Sequence, residues 1–288
     1  MRLIRFSRDN GPAQLGLLIG DKAVAMSDLI ADAPTGARAA IADWDALAPR
    51  LAAADATGKG VPVGTVALLC PLEASEKMMA IGLNYADHIE EARDAGLTIP
   101  TEQVWFTKMP SCLAGPFDGI ELPKVSDKLD YEVELVAVIG KGGRHISAAD
   151  APGHVFGYCV GNDVSVRDWQ VKTPQWVLGK SFDTHGPIGP AIVTSDEAGD
   201  PHVLGIRSLV NGELRQNSNT RHLVFNIWAQ IEELSKAMTL KPGDLIFTGT
   251  PGGVGLAFKP PRFLKVGDVV RCEIDGLGAI ENTVVAEA

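Results

Sequence analysis

The chain has 288 residues, 45% of them hydrophobic, with a formal net charge of −10 and a pI near 5.1. That length supports a sizeable core, in one large domain or a large one plus a small one. The acidity argues against nucleic acid and anionic membrane surfaces as partners, because both call for basic patches. No apolar run approaches a membrane span, and the N-terminal Met1-Arg2-Leu3-Ile4-Arg5-Phe6 lacks the apolar core and cleavage site of a secretory signal. Cys70, Cys112, Cys159 and Cys272 lie far apart with no CxxC pair, which suits unpaired thiols in a reduced cytoplasm.

Residues 1–72 differ in composition from residues 73–288 and read as a small N-terminal α/β domain. Short strands are expected at Leu3–Phe6, Gln14–Ile19 and Lys22–Ala25, separated by Asp9-Asn10-Gly11 and Gly20-Asp21. The alanine-rich stretch Ala37–Ala54 is helical by propensity, with Pro49 expected to kink or end it. Asp55–Gly64 reads as a linker. Strands then dominate: Lys77–Ile81, Asp130–Ile139, Val155–Val160 and Ala191–Thr194. Arg207–Gln216 carries Asn211-Gly212 between two strand-like arms, a hairpin signal. Val224, Ile227, Trp228, Ile231, Leu234 and Met238 recur at helical spacing, with Ser218–Thr220 as the start signal. Strands at Leu245–Thr248 and Val269–Ile274 follow turns at Pro242-Gly243-Asp244 and Val266-Gly267-Asp268. The fold class expected is α+β and β-rich, a sandwich or roll rather than a doubly wound parallel sheet.

The segment Asp130-Tyr131-Glu132-Val133-Glu134-Leu135-Val136-Ala137-Val138-Ile139-Gly140 carries the chemistry. Alternation along a strand puts Glu132 and Glu134 on one face, where two carboxylates on an apolar strand repel each other and lose hydration. A bound divalent cation compensates both; the alternative is an edge strand with two glutamates facing water. Asp163, just past the strand ending at Val160, is the natural third partner. Three carboxylates form an oxygen-rich site for a hard cation, Mg²⁺ first and Mn²⁺ second.

His88 and Glu91 stand at i, i+3 on a short helix, so an imidazole and a carboxylate share a face and form a candidate water-activating pair. Arg167 and Lys180, close to Asp163 in sequence, suggest anion capture beside the metal, with surface charge balance as the alternative. Gly179-Lys180-Ser181 lacks the upstream glycine of a phosphate loop. Thr248–Gly255 follows a strand but precedes no helix, and reads either as a tight loop whose N–H groups approach a ligand or as a plain turn. His145, His154, His185, His202 and His222 have no spacing that argues for a role.

Together these stretches resemble the fumarylacetoacetate hydrolase family, in the order Gly82–His88, Asp130–Gly140, Asn162–Gln170, Gly179–Asp183 and Thr248–Gly255. The short lid helix is similar to the family's bacterial branch. The resemblance implies a mixed β-sandwich roll, usually a homodimer. It also implies metal carboxylates at Glu132, Glu134 and Asp163, an active-site lysine at Lys180 and a His–Glu pair at His88 and Glu91. Arg167, Gln170 and Thr250 match positions that contact substrate in various members. The activity expected from this likeness is hydrolytic cleavage of a 2,4-diketo acid, an acylpyruvate or a 2,4-diketo-3-deoxy sugar acid, to pyruvate and a carboxylic acid. In that reading water activated by His88 and Glu91 attacks the 4-carbonyl, and the cation and Lys180 stabilise the enolate oxygen. Oxaloacetate decarboxylation and isomerisation or hydration of a 2-hydroxy-diene-dioate use the same enolate chemistry and stand as alternatives, with a non-catalytic metal- or ligand-binding protein as a remote one.

Overall fold

The computed structural model describes residues 1–86 and 101–288. The large sheet starts with β1 (Arg2–Ser7), β2 (Gln14–Ile19), β3 (Lys22–Ala25), β4 (Val61–Pro62), β5 (Ala67–Leu69), β6 (Met78–Gly82) and β7 (Val104–Lys108). Three short strands follow: β8 (Leu113–Ala114), β9 (Ile120–Leu122) and β10 (Leu129–Asp130). The centre is built from β11 (Val133–Ile139), β12 (Val155–Asn162), β13 (Ser165–Val166) and β14 (Gly186–Thr194). The chain closes with β15 (Gly205–Val210), β16 (Glu213–Asn219), β17 (Leu245–Phe247), β18 (Val269–Ile274) and β19 (Gly278–Ala286).

Ten strands of the large sheet run in the order β4-β3-β2-β1-β14-β12-β11-β17-β6-β7, with β5 on β1 and β8 on β14. The N-terminal strands therefore join the same sheet as the centre, through the antiparallel β1–β14 pairing. A five-stranded sheet, β16-β15-β18-β19-β9, packs on one face of β11, β12 and β14. The short β10 and β13 pair with each other.

Alternation along β11 feeds two cores. Val133, Leu135, Ala137 and Ile139 enter the cluster shared with the five-stranded sheet and the helix Ile227–Ala237. Val136 and Val138 enter the opposite cluster, with Leu3, Met78, Phe247 and residues of the helices Ala37–Ala42 and Trp44–Ala53. Burying both faces of a strand stabilises by about 25 cal/mol per Å² of apolar surface, which fixes its position against its neighbours. Glu134 has the parity of Val136 and Val138.

Several expectations need correction. The strand expected from Asp130 to Ile139 is interrupted at Tyr131 and Glu132, so Asp130 pairs with Ser165 while Val133 opens the run along β12. It is an interior strand, flanked by β12 and β17, not an edge. The alanine-rich helix breaks at Asp43, and Pro49 sits inside the second piece, Trp44–Ala53, on an exposed position. The late helix starts at Ile227, nine residues after Ser218: Asn226 is its cap, with its side chain accepting from the Ala229 N–H at 2.9 Å. Ser218 and Asn219 belong to β16. The hairpin is as expected, with Asn211 and Gly212 at φ 52° and 79°, the positive pair a two-residue I′ turn requires. The four cysteines are unpaired. Among the described residues no helix is long and apolar enough to cross a membrane.

Candidate active site

β11 and β12 run antiparallel with Val133 opposite Asn162, so the start of one strand meets the end of the other. Two hydrogen bonds carry the pairing past the strand break: Glu132 N–H donates to Asn162 Oδ1 at 2.9 Å, and Asp163 N–H to the Glu132 carbonyl at 2.9 Å. This brings Glu132, Glu134 and Asp163 together with ligand oxygens all within 4.8 Å of one another and all three residues buried. Such an array of like charges in low dielectric is unfavourable without a cation.

Cationic side chains offset two of the three. Lys180 Nζ lies 2.9 Å from Glu132 Oε2 and 2.6 Å from Asp163 Oδ2. Arg167 donates from Nη1 to Glu132 Oε1 at 2.6 Å and from Nε to Asp130 Oδ2 at 2.7 Å. Lys108, at the end of β7 and fully buried, reaches Asp163 Oδ1 at 2.7 Å. Glu134 receives only a backbone donor, Gly249 N–H at 2.8 Å, among the contacts of the described residues. Burial, then the nearby Asp163 and Glu132, push its carboxyl well above the usual range. With all four carboxyls ionised, Asp130, Glu132, Glu134 and Asp163 against Lys108, Arg167 and Lys180 leave one negative charge in excess among the described residues. A hard divalent cation fits this donor set and turns the excess positive, which then favours an anionic ligand.

The remaining expected residues fall as follows. Gln170 Oε1 accepts from Arg167 Nη1 at 2.9 Å, so it orients the guanidinium, whose buried Nη2 has no protein acceptor among the described residues. Gly179 is required here because a Cβ would lie 2.2 Å from the Gln170 backbone nitrogen. The Thr250 hydroxyl donates to the Val133 carbonyl at 3.0 Å and accepts from Gln216 Nε2 at 2.8 Å, so both of its roles are used within the protein. The loop Thr248–Gly255 wraps the acidic segment: its N–H groups at Gly249 and Gly255 bond Glu134 and Asp130 rather than standing open to a ligand. The anion-capturing cations expected at Arg167 and Lys180 are likewise held by the protein's own carboxylates. His88 and Glu91 lie outside the described residues.

Sequence reasoning misses Asp130 and Lys108. Asp130 carried a usable signal, since a carboxylate beginning an apolar strand needs a partner and Arg167 was at hand. Lys108 follows Val104-Trp105-Phe106-Thr107 and reads as a strand end reaching water. Phe106 is also placed at the site, its ring centroid 4.9 Å from Lys180 Nζ and 5.5 Å from the Trp176 ring.

His185, without a signal in the sequence, is buried beside this cluster with Nε2 donating to the Glu121 carbonyl at 2.8 Å. Burial pushes its pKa down from 6.5 to about 4, against the bond to Glu121. The unfolded chain therefore binds a proton that the folded chain refuses, and stability intact above pH 6.5 falls away as the pH drops towards 4. We expect this one group to remove roughly 3 kcal/mol across that window. In denaturant melts from pH 7 to 4, His185→Gln should flatten the slope relative to the parent protein; parallel slopes would refute the assignment.

A family model described as Fumarylacetoacetate (FAA) hydrolase C-terminal matches residues 77–285. A mitochondrial oxaloacetate tautomerase of Xenopus laevis is 46% identical over 291 residues, covering 99% of this chain and 90% of that protein. The structure of maleylpyruvate hydrolase from Sphingobium, solved with manganese(II) and pyruvate, superposes with a TM-score of 0.83 at 34% identity, covering 100% of both chains. The 2-hydroxyhepta-2,4-diene-1,7-dioate isomerase of Mycobacterium marinum does so with a TM-score of 0.79 at 33% identity, covering 100% of this chain and 99% of the other.

Proposed function

The chain belongs to the fumarylacetoacetate hydrolase family, and on that premise we propose that it is a divalent-metal-dependent tautomerase of a small 2-oxo dicarboxylic acid, with oxaloacetate as the first substrate to test. The observation that carries this is the buried carboxylate trio, set in a cluster of described residues with one more carboxylate than cations, a donor set that suits a divalent cation and, once it is bound, an anionic substrate. This reading departs from the hydrolysis expected of the sequence. It lies nearer the isomerase alternative, and the tautomerase relative that spans nearly the whole chain supports it.

Glu132, Glu134 and Asp163 would hold Mg²⁺ or Mn²⁺. When bound there, the ion supplies a Lewis acid that lowers the cost of negative charge on the substrate's C2 oxygen. Tautomerisation moves one proton: the enol hydroxyl loses it, the C2–C3 double bond becomes C2=O, and C3 gains a proton. Lys180 Nζ, set between Glu132 and Asp163, provides the proton at C3. His88 oriented by Glu91 takes the hydroxyl proton, a role read from the sequence, and exchange with solvent restores both groups. Arg167, fixed by Asp130 and Gln170, offers Nη2 to a substrate carboxylate.

Two assays in parallel decide the matter. With Mn²⁺ or Mg²⁺ present, the ultraviolet absorbance of enol-oxaloacetate should decay at least tenfold faster with protein than without, with no more pyruvate formed than the metal alone produces. Pyruvate released from maleylpyruvate or a simple acylpyruvate, without acceleration of the enol decay, would replace the proposal with carbon–carbon hydrolysis, the reading that the maleylpyruvate hydrolase neighbour favours.

A further inference from the structure

Lys108 has no role in the chemistry just described, yet it is the most thoroughly enclosed cation of the site. Its side chain is fully buried, and Nζ donates to Asp163 Oδ1 at 2.7 Å, to the Val164 carbonyl at 3.4 Å and to the Lys180 carbonyl. One ammonium thus ties together a proposed metal ligand, the residue after it and the main chain of the proposed proton donor. Its three donors meet three acceptors, and it needs no further partner.

We propose that Lys108 is a positioning residue that confines Asp163 to one-oxygen coordination and weakens cation binding in return for a fixed Lys180. The inference rests on the metal reading above. With Oδ1 occupied by Lys108, Asp163 has only Oδ2 to offer, the oxygen now 2.6 Å from Lys180 Nζ. Chelation through both oxygens, the stronger mode, is thereby blocked. A buried positive charge so close to the carboxylates also opposes a second cation, and in this setting one unit charge is worth about tenfold or more in affinity. What the site gains is geometry: Lys180 is held at its carbonyl by the same ammonium, so its Nζ has a defined reach.

The two effects predict opposite changes when Lys108 loses its charge. Lys108→Met keeps the length and removes the ammonium; Lys108→Gln keeps a donor for Asp163 without the charge and serves if the first variant does not fold. Binding of Mn²⁺ is read by the electron paramagnetic resonance signal of the free ion, independently of turnover. Lys108→Met should bind Mn²⁺ at least tenfold more tightly than the parent, and Lys108→Gln at least threefold. With saturating metal, kcat for enol-oxaloacetate should fall at least tenfold with KM within threefold, because Lys180 is displaced while substrate binding is not. A merely structural lysine would lower metal affinity along with stability. Mn²⁺ binding equal to or weaker than the parent's in the folded variants overturns the proposal and leaves the metal reading intact. A parent protein that binds no Mn²⁺ overturns the metal reading itself, and this inference with it.

Discussion

Glu134→Gln should bind Mn²⁺ at least about 100-fold more weakly than the parent and, in the presence of a chelator, be more stable than the parent by roughly 1–3 kcal/mol. The two signs have one cause. Glu134 is buried, shares its surroundings with Glu132 and Asp163, and has a single backbone donor among its described contacts. Its carboxyl is pushed well above the usual range by burial and then by those two neighbours. The folded pKa exceeds the unfolded one, so the folded state binds the proton more firmly, and the ionised carboxylate costs stability at every pH above the ordinary carboxylate range. An amide removes that cost while its oxygen still accepts from Gly249. It also removes a charged ligand, which a hard cation needs. Chemical denaturation in chelator at pH 8, beside a Mn²⁺ titration, separates the effects. A variant less stable than the parent in chelator would mean that Glu134 is compensated by something other than metal.

Alternation explains why the acidic pair could be read from the chain. Glu132 and Glu134 have the parity of Val136 and Val138, and the run of buried residues from Val133 to Ile139 announces an interior strand. Asp163 was legible because it follows a strand that pairs antiparallel with that run, as the register of Val133 on Asn162 bears out. The strand break at Tyr131 and Glu132 was not legible. Asp130 turns away to collect Arg167 and the N–H groups of Gly255 and Leu256, and those partners stand 37, 125 and 126 residues further along. Local propensity carries no trace of them.

The same limit hides Lys108. It ends β7, the last strand in the order of the large sheet, where lysine is a common guard against unwanted pairing. Its burial follows from the approach of Asp163, 55 residues on, and of the Lys180 carbonyl, 72 residues on. Glycine signals behaved differently in two places. At Asn211-Gly212 the local requirement for positive φ is itself the turn, so the hairpin was predictable. In Thr248–Gly255 composition announced close approach but not what was approached, and the N–H groups of Gly249 and Gly255 meet carboxylates of the protein. The fold class, which depends on many short patterns, was accordingly clearer than the contents of the site, which depend on a few long-range meetings.

Asp163→Asn makes the same chemical change as Glu134→Gln only a few ångströms away, and the expected stability effect is opposite. Asp163 holds two buried ammonium groups, Lys108 at 2.7 Å and Lys180 at 2.6 Å. Neutralising it leaves Lys108 with carbonyl acceptors alone, an uncompensated charge with no route to water. Breaking one side of a buried pair in this way costs roughly 3–5 kcal/mol, far more than the pair itself contributes. We expect Asp163→Asn to lose that much stability in chelator and to show no measurable Mn²⁺ binding or turnover. Adding Lys108→Met should return at least about 1 kcal/mol of the loss, because the stranded ammonium disappears with its partner. Turnover should not return, since the metal ligand is still missing. If the two substitutions instead add up to a larger loss than either, Lys108 and Asp163 stabilise the fold independently, and the charge pairing assigned to them is wrong.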